Sequence, residues 1–353
     1  MKKYEKHSFR IEKDSEYQKC LKEELDDYIN WVEKNYSMYV GEVRTIANHI
    51  NEAVSFYYKS DFMSAIQSIK TIVDESDLLS CDAQIGSAGY IDALFKARVA
   101  ESTENIKHDD MLHIPFDRRN IVSSQRFSLN GTPCIYLAKS SYACWLELNK
   151  PEENKFFVSA FRLLKSKMFL NLACLTWEAL EPGIKIEGNI KAKLCTFPLI
   201  IATSFLVDEN IGRPFHSEYI VSELLMNAIV KSKYDGVAYF SKKFSDREKY
   251  YPINVCFALL AKFDNKKYTS DIEDFEWTNP MSLREYSMIN WTSRIKKLVF
   301  NCGGAEDEEE IVKNPPFTLI GENVAYSDTL MCDFDNWIIE KIDFSKGKNE
   351  EIE

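Results

Sequence analysis

The chain has 353 residues, 45% hydrophobic and 28% charged, a composition that buries a sizeable core and excludes wholesale disorder. At roughly 150 residues per domain it is expected to form two domains with a small third element. Its 55 acidic against 44 basic residues leave a net charge of −11, so the overall field repels nucleic acid and anionic membranes, and a polyanionic ligand needs a local basic pocket.

The nine cysteines are odd in number and form no CxxC pair, against a zinc ribbon or disulfide framework. Cys134, Cys144 and Cys256 sit in apolar stretches, where a thiol serves as a small hydrophobe, which fits a reducing, cytoplasmic compartment. Residues 1–14 are charged and lack the apolar core of a signal peptide, and the run Leu194 to Val207 is too short and interrupted to span a bilayer. No membrane association is expected.

From the N-terminus, residues 15–80 read as three amphipathic helices. Their stripes are Tyr17, Leu21, Leu25, Tyr28 and Val32, then Val43, Ile46, Ile50, Val54 and Tyr57, then Phe62, Ile66, Ile69 and Val73. Periodicity stops between Ser76 and Gly89, where Gly86 also stands, so the spacing predicts a helical domain over 1–85 and a second domain from 90 to 265. In the latter, short β-like runs fall at Leu94–Val99, Cys134–Ala138, Phe156–Leu163, Met168–Leu172, Gly236–Phe240 and Val255–Leu260. Helical patterns fall at Ser141–Leu148, Tyr219–Lys233 and Pro280–Leu298. Irregular alternation predicts an α+β fold rather than a doubly wound parallel sheet. Residues 266–353 read as an extension packing on the second domain, with a solvated acidic loop at Glu306–Glu310 and a frayed tail from Lys346.

The twelve glycines write neither GxGxxG nor GxxxxGK[ST], and HExxH and GxSxG are absent, so no Rossmann turn, P-loop or zinc-protease helix is predicted and no metal is expected. Arg44 and His49 stand five apart on the second helix, a spacing used by HEPN-type ribonucleases, although a solvent-facing arginine and a partly buried histidine beside the Ile46/Ile50 stripe account for both more simply. The densest stretch is Met111 to Leu148. Here Arg126 precedes a turn, Tyr136 lies on a strand, and Ser140 or Ser141 can cap a short helix bearing Glu147. A cation, a phenol and a carboxylate thus fall within 22 residues. On spacing alone Glu147 is either solvated or, facing inward, paired or opposed by positive charge on a substrate.

This stretch resembles the RES-domain family. The resemblance rests on Gln-Arg-Phe-Ser at 125–128, Gly-Thr-Pro-Cys-Ile-Tyr-Leu-Ala at 131–138 and Glu147, with intervals of ten and eleven residues between Arg126, Tyr136 and Glu147. Tyr-Asp-Gly-Val-Ala-Tyr-Phe-Ser at 234–241, followed by Asn254-Val255-Cys256-Phe257, resembles that family's closing strand pair, with Ser241 on its serine. Arg98 matches an early arginine, and His113-Ile-Pro-Phe with Phe-His-Ser-Glu-Tyr-Ile at 215–220 resembles a longer subgroup whose helical N-terminal domain is HEPN-like.

The resemblance implies an ADP-ribosyltransferase-like α+β fold binding NAD in a cleft, and an NAD glycohydrolase or phosphorylase that cleaves the nicotinamide–ribose bond as a toxin or defence effector. It implies no cofactor beyond NAD as substrate, with inorganic phosphate as a co-substrate in some members. Arg126, Tyr136, Glu147 and Ser241 are the implied catalytic residues; Arg98, His113, Phe127 and Ser140 are the implied NAD-binding ones. Arg126 and Arg98 would hold the pyrophosphate, Glu147 would oppose charge on the ribose, Tyr136 would contact a ring and Ser241 a ribose hydroxyl or phosphate. Three alternatives stand beside this: a ribonuclease using Arg44 and His49, a protein ADP-ribosyltransferase, and an inactive NAD-binding protein. Expected partners are an antitoxin or regulator, and a second copy through the aromatic-rich helices (Tyr17, Tyr28, Trp31, Tyr57, Phe62).

Overall fold

The computed structural model describes residues 9–82, 93–102, 105–122, 125–173, 189–208, 213–244, 250–289, 326 and 329–347. The helical expectations at the N-terminus resolve into α1 (Tyr17–Asn35), α2 (Val40–Tyr58) and α3 (Phe62–Glu75). Each buries the stripe that periodicity marks, and Asp61 caps α3 by accepting from Ser64 N at 3.1 Å.

These helices do not form a separate bundle. Their core is shared with α5 (Ile190–Ala202) and α6 (Ile220–Ile229) and continues onto the sheet at Leu170, Val237 and Ala258. Tyr17 and Tyr28, expected at an association surface, are fully buried and donate their hydroxyls to Ala202 O (3.0 Å) and Leu194 O (3.1 Å) of α5. The second contact has a covalent cause. Pro198 lies inside α5 without an N–H for the carbonyl four residues earlier, and the Tyr28 hydroxyl satisfies that Leu194 carbonyl instead. The sequence boundary between 85 and 90 lies outside the described residues, while the core crosses it.

The main sheet contains β2 (Ser80–Asp82), β3 (Leu94–Val99), β4 (Cys134–Ala138), β5 (Phe156–Leu163), β6 (Met168–Asn171), β8 (Gly236–Phe240), β9 (Val255–Leu260), β10 (Phe275–Thr278) and β12 (Phe344–Ser345). Their order is β12-β10-β5-β3-β4-β9-β8-β6-β2, with β11 (Met281–Ser282) also on β5. All neighbours are antiparallel except β6 and β8. A separate parallel pair joins β1 (Phe9–Ile11) to β7 (Phe205–Val207). The 266–353 extension therefore does more than pack against the second domain, because it adds β10 and β12 to the sheet. Glu306–Glu310 and residues 348–353 of the expected tail lie outside the described residues, as does the helical pattern beyond Ile289.

The centre of the sheet decides where a site can form. β3 runs beside β5 through six pairs, Leu94↔Phe161 to Val99↔Phe156, but meets β4 only at Phe95↔Ala138. The sheet is thus two ladders joined by one pair. One face carries a core of Leu94, Phe161, Phe169, Phe257 and Trp277. On the other face α1, α2, α3, α5 and α6 cover the β4-to-β6 half, while α4 (Ser141–Glu147), α7 (Leu283–Ile289) and α8 (Leu330–Lys341) cover the β3–β5 half. Tyr239 packs against both helical layers and marks the seam between them. No helix among the described residues is long and apolar enough to cross a membrane.

Candidate active site

Glu147 and Ser241 meet at this seam. Ser140, extended at φ −152°, begins α4 by accepting from Ala143 N at 3.0 Å, and its hydroxyl donates to Ile253 O at 2.8 Å, so the helix starts at a fixed point beside the strand leading into β9. Glu147 ends the helix, and the chain reverses through Asn149 and Lys150, both left-handed at φ 60° and 58°. Ser241 follows β8, whose close approach to β9 depends on Gly236: a β-carbon there would strike the Ala258 carbonyl and the Phe169 ring.

The Ser241 hydroxyl donates to Glu147 Oε1 at 2.5 Å and accepts from Lys243 N at 3.2 Å. Ser241 is buried whereas Glu147 is exposed, so one carboxylate oxygen is tethered from the protein side while the residue remains open to solvent. The phenols of Tyr239 and Tyr219 are both raised above their ordinary value, first by burial, with the Glu147 charge acting in the same direction. Sequence reading singled out neither tyrosine. Tyr239 could have been found as the aromatic two residues before Ser241 on the alternate-facing strand.

Arg126 adjoins this group, with both terminal nitrogens engaged by backbone carbonyls. Nη1 donates to Thr203 O (3.0 Å) and Glu218 O (3.3 Å), Nη2 to Phe205 O (2.9 Å), and the guanidinium lies 4.8 Å from the Tyr219 ring centroid. Of these, Thr203 caps the C-terminus of α5, where a cation suits the helix dipole. Through these contacts Arg126 ties the turn at 125–128 to the α5–β7 junction and to the segment entering α6. Tyr136 donates to Phe127 O at 2.8 Å, and burial raises its phenol well above the usual range.

Phe127, Ser140, His113 and Arg98, expected to bind NAD, each have partners within the chain. Phe127 is buried against Tyr239 at 4.5 Å between centroids. Ser140 is spent on its two hydrogen bonds. His113 is buried with Nδ1 donating to Ile114 O (2.7 Å) and Nε2 accepting from Thr269 N (2.8 Å), an arrangement that requires the neutral ring. Burial, with Lys96, Arg98 and Arg119 acting in the same sense, lowers its pKa to about 4. Arg98 donates to Leu112 O at 2.8 Å, and strand alternation puts it on the sheet face opposite Phe95 and Ala97. Its half-buried guanidinium is lowered below the usual range, mainly by desolvation.

Lys96, which sequence reading passed over, sits two residues before Arg98, beyond the point where β3 leaves β4. It is 9% exposed, makes no hydrogen bond or ion pair among the described residues, and is held down to about 7 by burial and then by Arg98. Arg44 and His49 of α2 are not brought together: Arg44 is exposed, 3.8 Å from Glu33, and His49 Nδ1 lies 3.4 Å from Glu52. Among the described residues no group of three or more His, Cys, Asp or Glu side chains is placed to hold a metal ion.

No family model and no solved structure matches the chain. Among curated proteins it is similar to the "Putative toxin YopC" of Bacillus subtilis (strain 168), at 32% identity over 160 residues, covering 42% of this chain and 36% of that protein. The match therefore spans little more than a third of the relative's length.

Proposed function

We propose that the chain consumes NAD, cleaving the nicotinamide–ribose bond, and acts as a toxin-like effector restrained by a partner protein. The observation that carries this reading is the Glu147 carboxylate, open to solvent yet tethered by Ser241 at the seam between the two helical layers. In this reaction the bond between the ribose C1′ and the nicotinamide nitrogen breaks with its electron pair on nitrogen, so neutral nicotinamide leaves and positive charge builds on the sugar. Glu147 opposes that charge. An oxygen of water or inorganic phosphate then bonds to C1′, and a water nucleophile gives up its proton to the same carboxylate. Ser241 holds the carboxylate in orientation, and Tyr219 and Tyr239 bound the space in which the ribose sits.

The split ladder order supports an ADP-ribosyltransferase-like reading of the fold, and the likeness to a relative named as a toxin supports the biological class. Arg126 enters as a residue that braces the wall of the site, and Lys96 and Arg98 as the cations nearest the gap between β3 and β4. The test is to incubate the purified protein with NAD, with and without phosphate, and to resolve products by mass. Nicotinamide with ADP-ribose identifies water as acceptor, and nicotinamide with ADP-ribose phosphate identifies phosphate. NAD left intact, including with a cognate partner removed, overturns the assignment.

A further inference from the structure

At the opposite end of α4 from Glu147, the helix is held by a residue far away in sequence. Asp335 of α8 is fully buried, and its two carboxylate oxygens lie 3.3 and 3.1 Å from Ser141 N, the first backbone N–H of α4. The Tyr326 hydroxyl donates to Asp335 Oδ2 at 2.6 Å, and the Ser141 hydroxyl meets Met331 Sδ at 3.4 Å. Around this contact Met331, Phe334 and Ile338 of α8 pack with Ala143, Trp145 and Leu146 of α4 and with Phe95 of β3. A buried carboxylate is costly unless it is well hydrogen-bonded. Here its partners are Ser141, through backbone and side chain, and the Tyr326 phenol.

We infer that Asp335 is a positioning residue for Glu147, setting the placement of α4 through Ser141 N–H so that the C-terminal helix is part of the machinery of the site. This rests on the reading of Glu147 as the reactive carboxylate. With only seven residues, α4 has little length over which to absorb a displacement at its start. A shift at Ser141 passes to Glu147 as a rigid movement, and reacting groups are sensitive to displacements of an ångström or less.

Burial raises Asp335 to about 7, opposed by its hydrogen bonds to Ser141 and Tyr326. The titratable groups around it are Cys144 on α4, Tyr326 on the preceding segment and Cys332 on α8. No lysine, arginine or histidine among the described residues forms an ion pair with it. Ionisation strengthens the hold on the Ser141 N–H, because a charged acceptor binds a helix N-terminus more tightly than a neutral one. Turnover therefore rises with pH through this range.

The experiment uses the full chain with Asp335→Ala, Asp335→Asn and Tyr326→Phe. Asp335→Ala lowers kcat for NAD about tenfold with KM changed less than about twofold. Asp335→Asn, whose amide oxygen still accepts from Ser141, recovers most of kcat and abolishes the pH step near 7. Tyr326→Phe removes a stabiliser of the anion and moves that step to higher pH. Hydrogen exchange over residues 141–148 supplies a readout independent of NAD: α4 exchanges faster in Asp335→Ala, and protection returns in Asp335→Asn. Unchanged kcat and unchanged exchange in folded Asp335→Ala overturn the inference. Wild-type protein inert toward NAD, with α4 loosened by Asp335→Ala, overturns the functional reading while the positioning role stands.

Discussion

The hydroxyl of Ser241 donates to the carboxylate of Glu147 across 2.5 Å, joining residues 94 positions apart. The backbone N–H of Lys243 occupies a lone pair of the same hydroxyl, which directs its proton at the carboxylate. Glu147→Gln keeps the size of the side chain and loses the charge that opposes a cationic ribose. It is expected to lower kcat by on the order of 10²-fold with a small change in KM, and Ser241→Ala by about tenfold. Steady-state NAD consumption, with folding checked by circular dichroism, decides this. Near-normal kcat in folded Glu147→Gln would make the carboxylate structural.

Arg126 makes a different prediction. Its removal leaves the carbonyls of Thr203, Phe205 and Glu218 without their partner and strips the Tyr219 ring of its cation. At about 1 kcal/mol per lost contact, Arg126→Ala should lower stability by about 3 kcal/mol in urea denaturation. Arg126→Lys should recover little of it, since one ammonium cannot reproduce a planar fork across three acceptors. A variant that loses NAD binding at undiminished stability would instead mark Arg126 as a substrate contact.

His113 governs part of the acid response. Its pKa falls from 6.5 unfolded to about 4 folded, so the stability it confers is complete above the unfolded value and is lost as pH drops through the folded one. The 2.5-unit difference corresponds to about 3 kcal/mol at most. His113→Gln can retain both contacts, to Ile114 O and from Thr269 N, without titrating. Denaturation midpoints between pH 7 and 4 should therefore slope less in the variant than in the parent, and parallel slopes would exclude His113 as the cause.

Lys96 acts on the alkaline side. A base whose pKa is lowered from 10.5 to about 7 binds its proton more weakly in the folded state, so stability rises as pH increases between those values. Lys96→Met keeps the stem and removes the buried charge, and should raise the melting temperature more at pH 7 than at pH 10. An equal gain at both values would show that the ammonium is solvated.

The central strands were legible because they are apolar runs bounded by turn residues: Cys134–Ala138, Phe156–Leu163, Gly236–Phe240 and Val255–Leu260 have the same limits in the sequence pattern and in the fold. The helix at Ile190–Ala202 escaped because it is buried almost all round, which erases the helical period, and because Pro198 reads as a breaker until Tyr28 is seen to answer the freed carbonyl. Edge strands of two or three residues such as β2 and β12 are too short for alternation to show. Arg126, Tyr136 and Glu147 stand out by type and spacing, but nothing local reveals that Arg126 is engaged by carbonyls nearly eighty residues on. Asp335 lies in a helix, Leu330–Lys341, that sequence reading did not mark, and is informative only through a partner on another element.

The span between Ser141 and Asp335 is 194 residues. During synthesis at about 5–20 residues per second, α4 leaves the ribosome about 10–40 s before the carboxylate that anchors it. Until then the helix bearing Glu147 has only its serine cap and a half-built apolar layer around it. On the proposed reading, the chain therefore reaches full turnover only after α8 has emerged and docked on α4.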